Sequence, residues 1–466
     1  MSGIFKTKPI KTLIAETEGK QGLKKALGAF DLTLLGIGAV IGTGIFVLTG
    51  VAAAKFSGPA LILSFILSGL ACIFAALCYA EFAALVPVAG SAYTYGYASL
   101  GEFWAWIIGW DLVLEYAVAI SAVAIGWSGY AVSLLDSMGI TLPKSLTVAP
   151  SDGGFINLPA IIIIGLITWL LLTGVKETSR LNGIIVVIKV AVILLFIVLA
   201  VWHVKPVNWH PFMPFGFSGV AAGAATIFFA YLGFDAVSTA AEEVKNPQKD
   251  LPKGIIYSLL ICTVLYIVVS GILTGVVKYT AYAHTSAPVA YALQQIGINW
   301  GSAIIAVGAI CGITSVLLVM MFGQTRIFFA MSRDGLLPKF FGKVSEQRKV
   351  PVSSTLLVGI VTAICAGFTP ISVVAELANI GTLSAFIIVA VGVMVLRHKR
   401  PEIHRPFKTP FVPVIPILAI ISCGYLLISL NPITIIRFVV WLAIGLVIYF
   451  LYGRKNSTLN DQAKSA

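Results

Sequence analysis

The feature that most constrains this chain is an interruption at the centre of its first apolar segment. Residues 30–54 are apolar enough to span a bilayer, but their middle reads Gly36-Ile37-Gly38-Ala39-Val40-Ile41-Gly42-Thr43-Gly44-Ile45-Phe46. Each of the four glycines weakens a helix by about 1 kcal/mol relative to alanine. Unwound backbone at that depth persists only where protein buries it or where it lines a cavity. A helix broken there presents N–H groups on one half and C=O groups on the other, which together suit a zwitterion. The break therefore predicts a binding place for a small solute near mid-membrane.

Composition agrees with a membrane setting. Of 466 residues, 59% are hydrophobic and 11% charged, whereas a soluble domain carries about 25% charged residues. A polytopic membrane protein is expected. No cleavable signal is expected, because Lys6, Lys8, Lys11, Lys20, Lys24 and Lys25 precede the first apolar run and no small-residue cleavage site follows it. All six cysteines (Cys72, Cys78, Cys262, Cys311, Cys365, Cys423) fall in apolar segments without metal-ligand spacing and read as small buried fillers. The sequence has no phosphate-binding glycine loop ending in Lys-Ser/Thr, no zinc-type histidine pair and no serine-nucleophile elbow, so no enzyme, cofactor or metal is expected.

At about 20 apolar residues per span, twelve helices are predicted. They lie near 29–54, 59–85, 101–135, 156–174, 183–203, 218–241, 253–277, 300–332, 352–369, 371–396, 412–430 and 433–452. With the N-terminus cytoplasmic, 25 of the 31 Lys and Arg fall on the inner side; the exceptions are Lys55, Lys144, Lys205, Lys278, Arg437 and the mid-span Lys189. The positive-inside rule fixes that orientation and accounts for the net charge of +12 without any nucleic acid.

The spans carry an internal pattern. The first and sixth are interrupted, the sixth reading Thr226-Ile227-Phe228-Phe229-Ala230-Tyr231-Leu232-Gly233-Phe234-Asp235. The third and eighth are the long ones, roughly 50 Å each at 1.5 Å per residue, and should tilt or protrude. An offset of five helices places the second copy in the membrane upside down. The expected fold is therefore an all-α integral membrane protein with a five-plus-five inverted repeat and two C-terminal helices. Its parts are a cytoplasmic tail (1–28), the first repeat (29–203), the second repeat (218–396), helices eleven and twelve (412–452) and a second cytoplasmic tail (453–466).

Several side chains stand out. In the first break the N–H groups of Gly42, Thr43, Gly44 and Ile45 would open the outer half-helix, whose positive end favours a carboxylate. Carbonyls from Ile37 to Ile41 would receive an ammonium group. The alternative is packing, since Gly38 and Gly42 form a small-xxx-small pair. In the sixth span Phe229 would close over the solute, Gly233 would permit the break, and Asp235 would cap the next half-helix or reach the ligand amine through water. Lys189 lies about 9 Å from the cytoplasmic end of its helix, so either it snorkels or, if buried, it exchanges a proton. Asp111 and Glu115 share a face of the third span, with Glu115 roughly 20 Å deep. Glu115 is read either as an ionisable functional group or as a structural partner, Lys189 among the candidates. Glu102 is read as interfacial or as a helix-dipole partner. Thr314 and Ser315 would offer hydroxyls, and Met320 and Met321 an adaptable apolar wall.

At these residues the chain resembles the amino acid–polyamine–organocation superfamily, in particular bacterial members of its cationic amino acid transporter family. The resemblance covers nearly the whole chain. It rests on Gly42 to Phe46, on Gly101-Glu102-Phe103-Trp104-Ala105-Trp106-Ile107-Ile108-Gly109-Trp110 and on Asn246-Pro247-Gln248-Lys249-Asp250-Leu251-Pro252. Further matches are Arg326 to Met331 with Ser332-Arg333-Asp334-Gly335-Leu336, and Arg405-Pro406-Phe407-Lys408-Thr409-Pro410.

The resemblance implies the leucine-transporter fold and import of an L-amino acid across the cell membrane by alternating access. Gly42 to Ile45 match the family's carboxylate-binding stretch and Phe229 its aromatic gate. Lys189 matches the fifth-helix lysine that replaces an ion in proton-driven relatives, and it would bridge the first and eighth helices until it loses its proton inward. Met320 falls where arginine-carrying animal members have a smaller residue, which implies neutral, small or medium apolar substrates. Expected partners are the amino acid, protons and the bilayer; a small accessory membrane subunit could associate, but nothing in the sequence shows one. Rival readings are an exchanger without net proton movement and a non-transporting sensor, the latter disfavoured by tails too short to fold alone. A channel is disfavoured by the lack of a charge ring or filter.

Overall fold

The computed structural model describes residues 6–8, 27–88, 91–173, 179–345 and 350–458. The predicted tails, 1–28 and 453–466, lie mostly outside the described residues, as do Lys11, Lys20, Lys24 and Lys25. Among the described residues, seven helices are long and apolar enough to cross a membrane, and five shorter apolar helices accompany them. The only β-pairing described is one isolated bridge between Leu27 and Val244.

The first predicted span divides at its glycines. Helix α1 (Ala29–Val40) stops, and a second piece starts as a π-helix, Gly44–Leu48, continues as α2 (Thr49–Ala52) and ends in a π-helical turn, Ala53–Ser57. There follow α3 (Leu61–Leu85), α4 (Ser91–Ser99), the 36-residue α5 (Glu102–Ser137), α6 (Leu158–Leu172) and α7 (Ser179–Ala200). The sixth predicted span also divides, into α8 (Gly216–Ile227), a 3-10 turn (Phe228–Tyr231) and the short α9 (Ala236–Thr239). Next come α10 (Pro247–Val276), α11 (Pro288–Gln295) and the 35-residue α12 (Asn299–Arg333). The chain closes with α13 (Val352–Phe368), α14 (Ile371–Lys399), α15 (Val414–Ile428), α16 (Pro432–Ile448) and α17 (Arg454–Asn456). Helices α4 and α11 were not anticipated; both are under ten residues and too short for a spanning-length window.

Local chemistry sets several of these starts. Pro247, Pro288 and Pro432 occupy first helical positions, where a missing N–H costs nothing. Asn431 accepts from the Ile433 N–H at 3.0 Å and caps α16.

Two groups of helices pack around the breaks. Helix α10 lies on α1 and α3, and α3 on α8; the long α5 and α12 lie against each other, with α14 on α5 and α7 on α12. Helix α1 meets the second group through α7 and α12. Helix α16 is riveted to α5 by two tryptophans. Trp110 Nε1 donates to Trp441 O at 2.8 Å, Trp441 Nε1 donates to Trp110 O at 3.1 Å, and their rings stack with centroids 4.4 Å apart.

Two sequence readings need correction. Glu102 does sit in the first turn of α5, but it is fully buried rather than interfacial. It accepts hydrogen bonds from the Tyr449 hydroxyl at 3.0 Å and from the Ser457 hydroxyl, because the chain after α16 folds back over it and removes water. The cysteines are not all buried: Cys311 on α12 is exposed and Cys365 half-buried, with the other four inside. Cys311 precedes Gly312, which faces inward, so the helix turns the cysteine outward.

Candidate functional site

The first break is set by Ile41, whose extended backbone (φ −75°, ψ 103°) ends α1. The piece that resumes at Gly44 leaves its first N–H groups without partners in their own helix. Ile41, Gly42, Thr43, Gly44 and Ile45 are all buried. In the second break Gly233 turns the chain at φ +102°, a left-handed conformation that favours glycine. Phe229 lies in the preceding 3-10 turn and is also buried. The two breaks touch. A Cβ at Gly44 would stand 2.2 Å from Ala230 Cα, so only glycine lets the two backbones come this close.

The carbonyls of the first break are largely in use. Ile37 O accepts from Ile41 N at 2.9 Å, and Gly38 O accepts from Lys189 Nζ at 2.7 Å. Val40 O and Ala230 O, one from each broken helix, both lie 3.0 Å from the Tyr266 hydroxyl of α10. One hydroxyl proton thus serves two carbonyls and ties the two breaks together.

Lys189 does not snorkel. It is fully buried, and its stem lies in a groove left by Gly312 of α12, where a Cβ would stand 2.8 Å from Lys189 Cγ and 3.0 Å from Cε. The carbonyl that receives it is free because α1 ends there. Lys189 therefore spans from α7 across α12 to the end of α1. Gly312, Val316 and Met320 recur every four residues and share that face of α12. Val316 Cγ2 lies 3.3 Å from the position of a Cβ on Gly42, and half-buried Met320 follows one turn on. Met321 is fully buried. Thr314 is committed elsewhere: it accepts from Trp127 Nε1 at 2.9 Å and donates to Ile310 O at 2.7 Å. Ser315 is buried.

The acidic residues form a separate group. Glu115 has Asp111, Asp235 and the Thr382 hydroxyl as neighbours, whereas the Lys189 amine goes to Gly38. Both carboxyl oxygens of Asp111, and Oε2 of Glu115, are buried without a hydrogen-bond partner among the described residues. Asp235 precedes α9 but its side chain does not cap it, since its own backbone is already helical (φ −68°, ψ −23°) rather than extended. Sequence reasoning missed Tyr266 and Asn379. Asn379 Nδ2 donates to Ala225 O at 2.7 Å and Thr226 O at 3.1 Å, where α8 begins to unwind. A polar residue inside an apolar run was the available signal for both.

Two discontinuous helices thus touch at their breaks, beside two long helices and a buried lysine, in a chain with seven helices long and apolar enough to cross a membrane among the described residues. The chain belongs to the amino acid permease family, whose profile matches residues 27–458. It is similar to the branched-chain amino acid permease BcaP of Bacillus subtilis (strain 168), 57% identical over 462 residues that cover 98% of this chain and 99% of that protein. It is also 54% identical over 462 residues to the methylthioribose transporter of the same organism, covering 99% and 100% of the two chains. Cationic amino acid transporter 4, vacuolar, of Arabidopsis thaliana is 39% identical over 412 residues, 86% of this chain and 68% of that one. The protein is accordingly a transporter rather than an enzyme.

Proposed function

We propose that this protein imports neutral L-amino acids with apolar side chains, branched-chain ones foremost, in symport with protons. The observation that supports the reading is the close approach of Gly44 to Ala230, which brings the start of the second piece of the first broken helix against the second break. The substrate carboxylate meets the N–H groups of Gly42 to Ile45, and its ammonium meets carbonyls of the two breaks near Ile41 and Phe229. Phe229 closes over it, Gly233 permits the turn, Asp235 acts through water, and Met320 shortens the side-chain pocket. Lys189 carries the coupled proton. In its charged form it holds α1 to α12, and release of the proton inward loosens that contact. Coupling requires that the two states bind substrate and proton with different affinity. Glu115 serves as a second, subordinate proton site.

The broken first and sixth predicted spans (α1 and α8) and the long third and eighth (α5 and α12) recur at an offset of five spans, which supports an inverted repeat over 29–203 and 218–396 and a fold of twelve crossings. The protein sits in the cell membrane with both tails in the cytoplasm. Similarity to BcaP supports branched-chain substrates. Similarity to the methylthioribose transporter supports a second reading, a neutral solute lacking both carboxylate and ammonium. The paired backbone dipoles favour the zwitterion.

Counterflow into liposomes carrying the purified protein decides between them. Labelled leucine should enter vesicles preloaded with leucine, and methylthioribose should neither enter nor compete. Methylthioribose counterflow without leucine counterflow would refute the proposal. Binding of leucine without any flux would favour the sensor.

A further inference from the structure

Thr43 stands at the head of the helical piece that begins at Gly44, a place where a threonine side chain ordinarily accepts from an N–H two or three residues on. It makes no such cap. Its hydroxyl is buried and has no hydrogen-bond partner among the described residues. Thr49, one turn and a half later, instead bonds back to Ile45 O at 2.7 Å, as membrane-buried hydroxyls commonly do.

The Thr43 side chain is lodged against α5. A Cβ at Gly126 would stand 2.4 Å from Thr43 Cγ2, 2.9 Å from Oγ1 and 3.2 Å from Cβ. Gly126 lies inside a regular helix, and its φ is not in the left-handed region that would call for glycine. Helix propensity would favour alanine there. The missing side chain is explained by what fills its place. One turn on, the Tyr130 hydroxyl donates to Phe46 O at 2.8 Å, so this face of α5 grips the outer half of the broken helix at two points.

We propose that Gly126 is a positioning residue for substrate binding. Its notch seats Thr43, keeps the Thr43 hydroxyl off its own helix end, and leaves that hydroxyl and the following N–H groups to the substrate carboxylate. The inference rests on the amino acid reading above. The seat cannot shift without cost to the site. Thr43 is β-branched and stiff at χ1, so a methyl at 126 moves the backbone of residues 42–44. That backbone is already close-packed on both sides, by Val316 against Gly42 and by Ala230 against Gly44. The displacement therefore passes to the N–H groups that meet the carboxylate.

The test is a double-mutant cycle of Gly126→Ala, Thr43→Ser and both together, with leucine uptake measured in proteoliposomes. Serine keeps the hydroxyl and removes the methyl that makes the closest approach. Gly126→Ala should raise KM about tenfold with the maximum rate changed by less than about threefold. Adding Thr43→Ser should return KM to within about threefold of the Thr43→Ser single variant. Gly129→Ala, on the same helix but packed against Ser286, is the control and should gain nothing from Thr43→Ser. If Gly126→Ala does not fold, the double variant must recover both folded protein and near-normal KM. Unchanged KM in Gly126→Ala, or recovery of folding without recovery of KM, would overturn the inference alone. A wild-type protein that neither binds nor carries any amino acid would overturn it together with the proposed function.

Discussion

Gly44→Ala is the most direct way to perturb the meeting of the two broken helices. The new methyl would start 2.2 Å from Ala230 Cα, 2.5 Å from its Cβ and 2.8 Å from its N. All three are backbone or Cβ atoms, so no flexible side chain can swing aside. Reaching ordinary van der Waals contact requires the two backbones to part by about 1.3 Å. The same movement stretches the bridge in which the Tyr266 hydroxyl lies 3.0 Å from both Val40 O and Ala230 O. Overpacking of this kind costs about 1–3 kcal/mol, and one lost internal hydrogen bond about 1 kcal/mol more. If about 2 kcal/mol of this falls on the binding-competent state, leucine affinity drops about thirtyfold. The assay is the half-saturation of uptake in proteoliposomes, with thermal unfolding of the detergent-purified protein measured in parallel. A Gly44→Ala variant with KM within about threefold of wild type and an unchanged Tm would refute the close contact.

Other perturbations separate the parts of the site. Tyr266→Phe leaves Val40 O and Ala230 O without their donor and should cost about 1–3 kcal/mol, seen as a lower leucine affinity in equilibrium binding; an unchanged affinity would show that the bridge is idle. Met320→Ala should extend the accepted side chains toward longer ones in a competition series, whereas an unchanged series would place Met320 outside the pocket. Gly335→Ala should lift the chain end, because Gly335 has φ +77° and a Cβ there would stand 2.0 Å from Asn456 O. A broad-specificity endoprotease should then cleave beside Ser457, which wild type buries against Glu102; equal protection in both proteins would contradict this packing.

The breaks were legible because their cause is local: glycines weaken a helix wherever they fall, and no neighbour is needed to see it. The length of α5 and α12 was legible for the same reason. The fate of Lys189 was not. Its depth allows either snorkelling or burial, and the choice depends on Gly312 and on the carbonyl of Gly38, both far away in sequence. The interfacial reading of Glu102 failed because its cover, Tyr449 and Ser457, arrives 347 and 355 residues later, a separation that no local pattern reveals. Tyr266 and Gly126 act through contacts between helices, so an isolated tyrosine or glycine in an apolar run gave only a weak signal. Six of the seven long apolar helices each overlap one predicted span, and the seventh, Gly44–Leu85, runs through the end of the first and all of the second; α4 and α11 escaped notice because each is shorter than a spanning-length window.

The central claim is that a proton moving through Lys189 drives uptake. The measurement that tests it is accumulation of labelled leucine in proteoliposomes with and without an inward proton gradient, for wild type and Lys189→Ala. Wild type should concentrate leucine only when the gradient is present, and Lys189→Ala should lose that response while still binding leucine. Gradient-driven accumulation that survives in Lys189→Ala would contradict the account, as would wild-type uptake that ignores the gradient and requires amino acid inside.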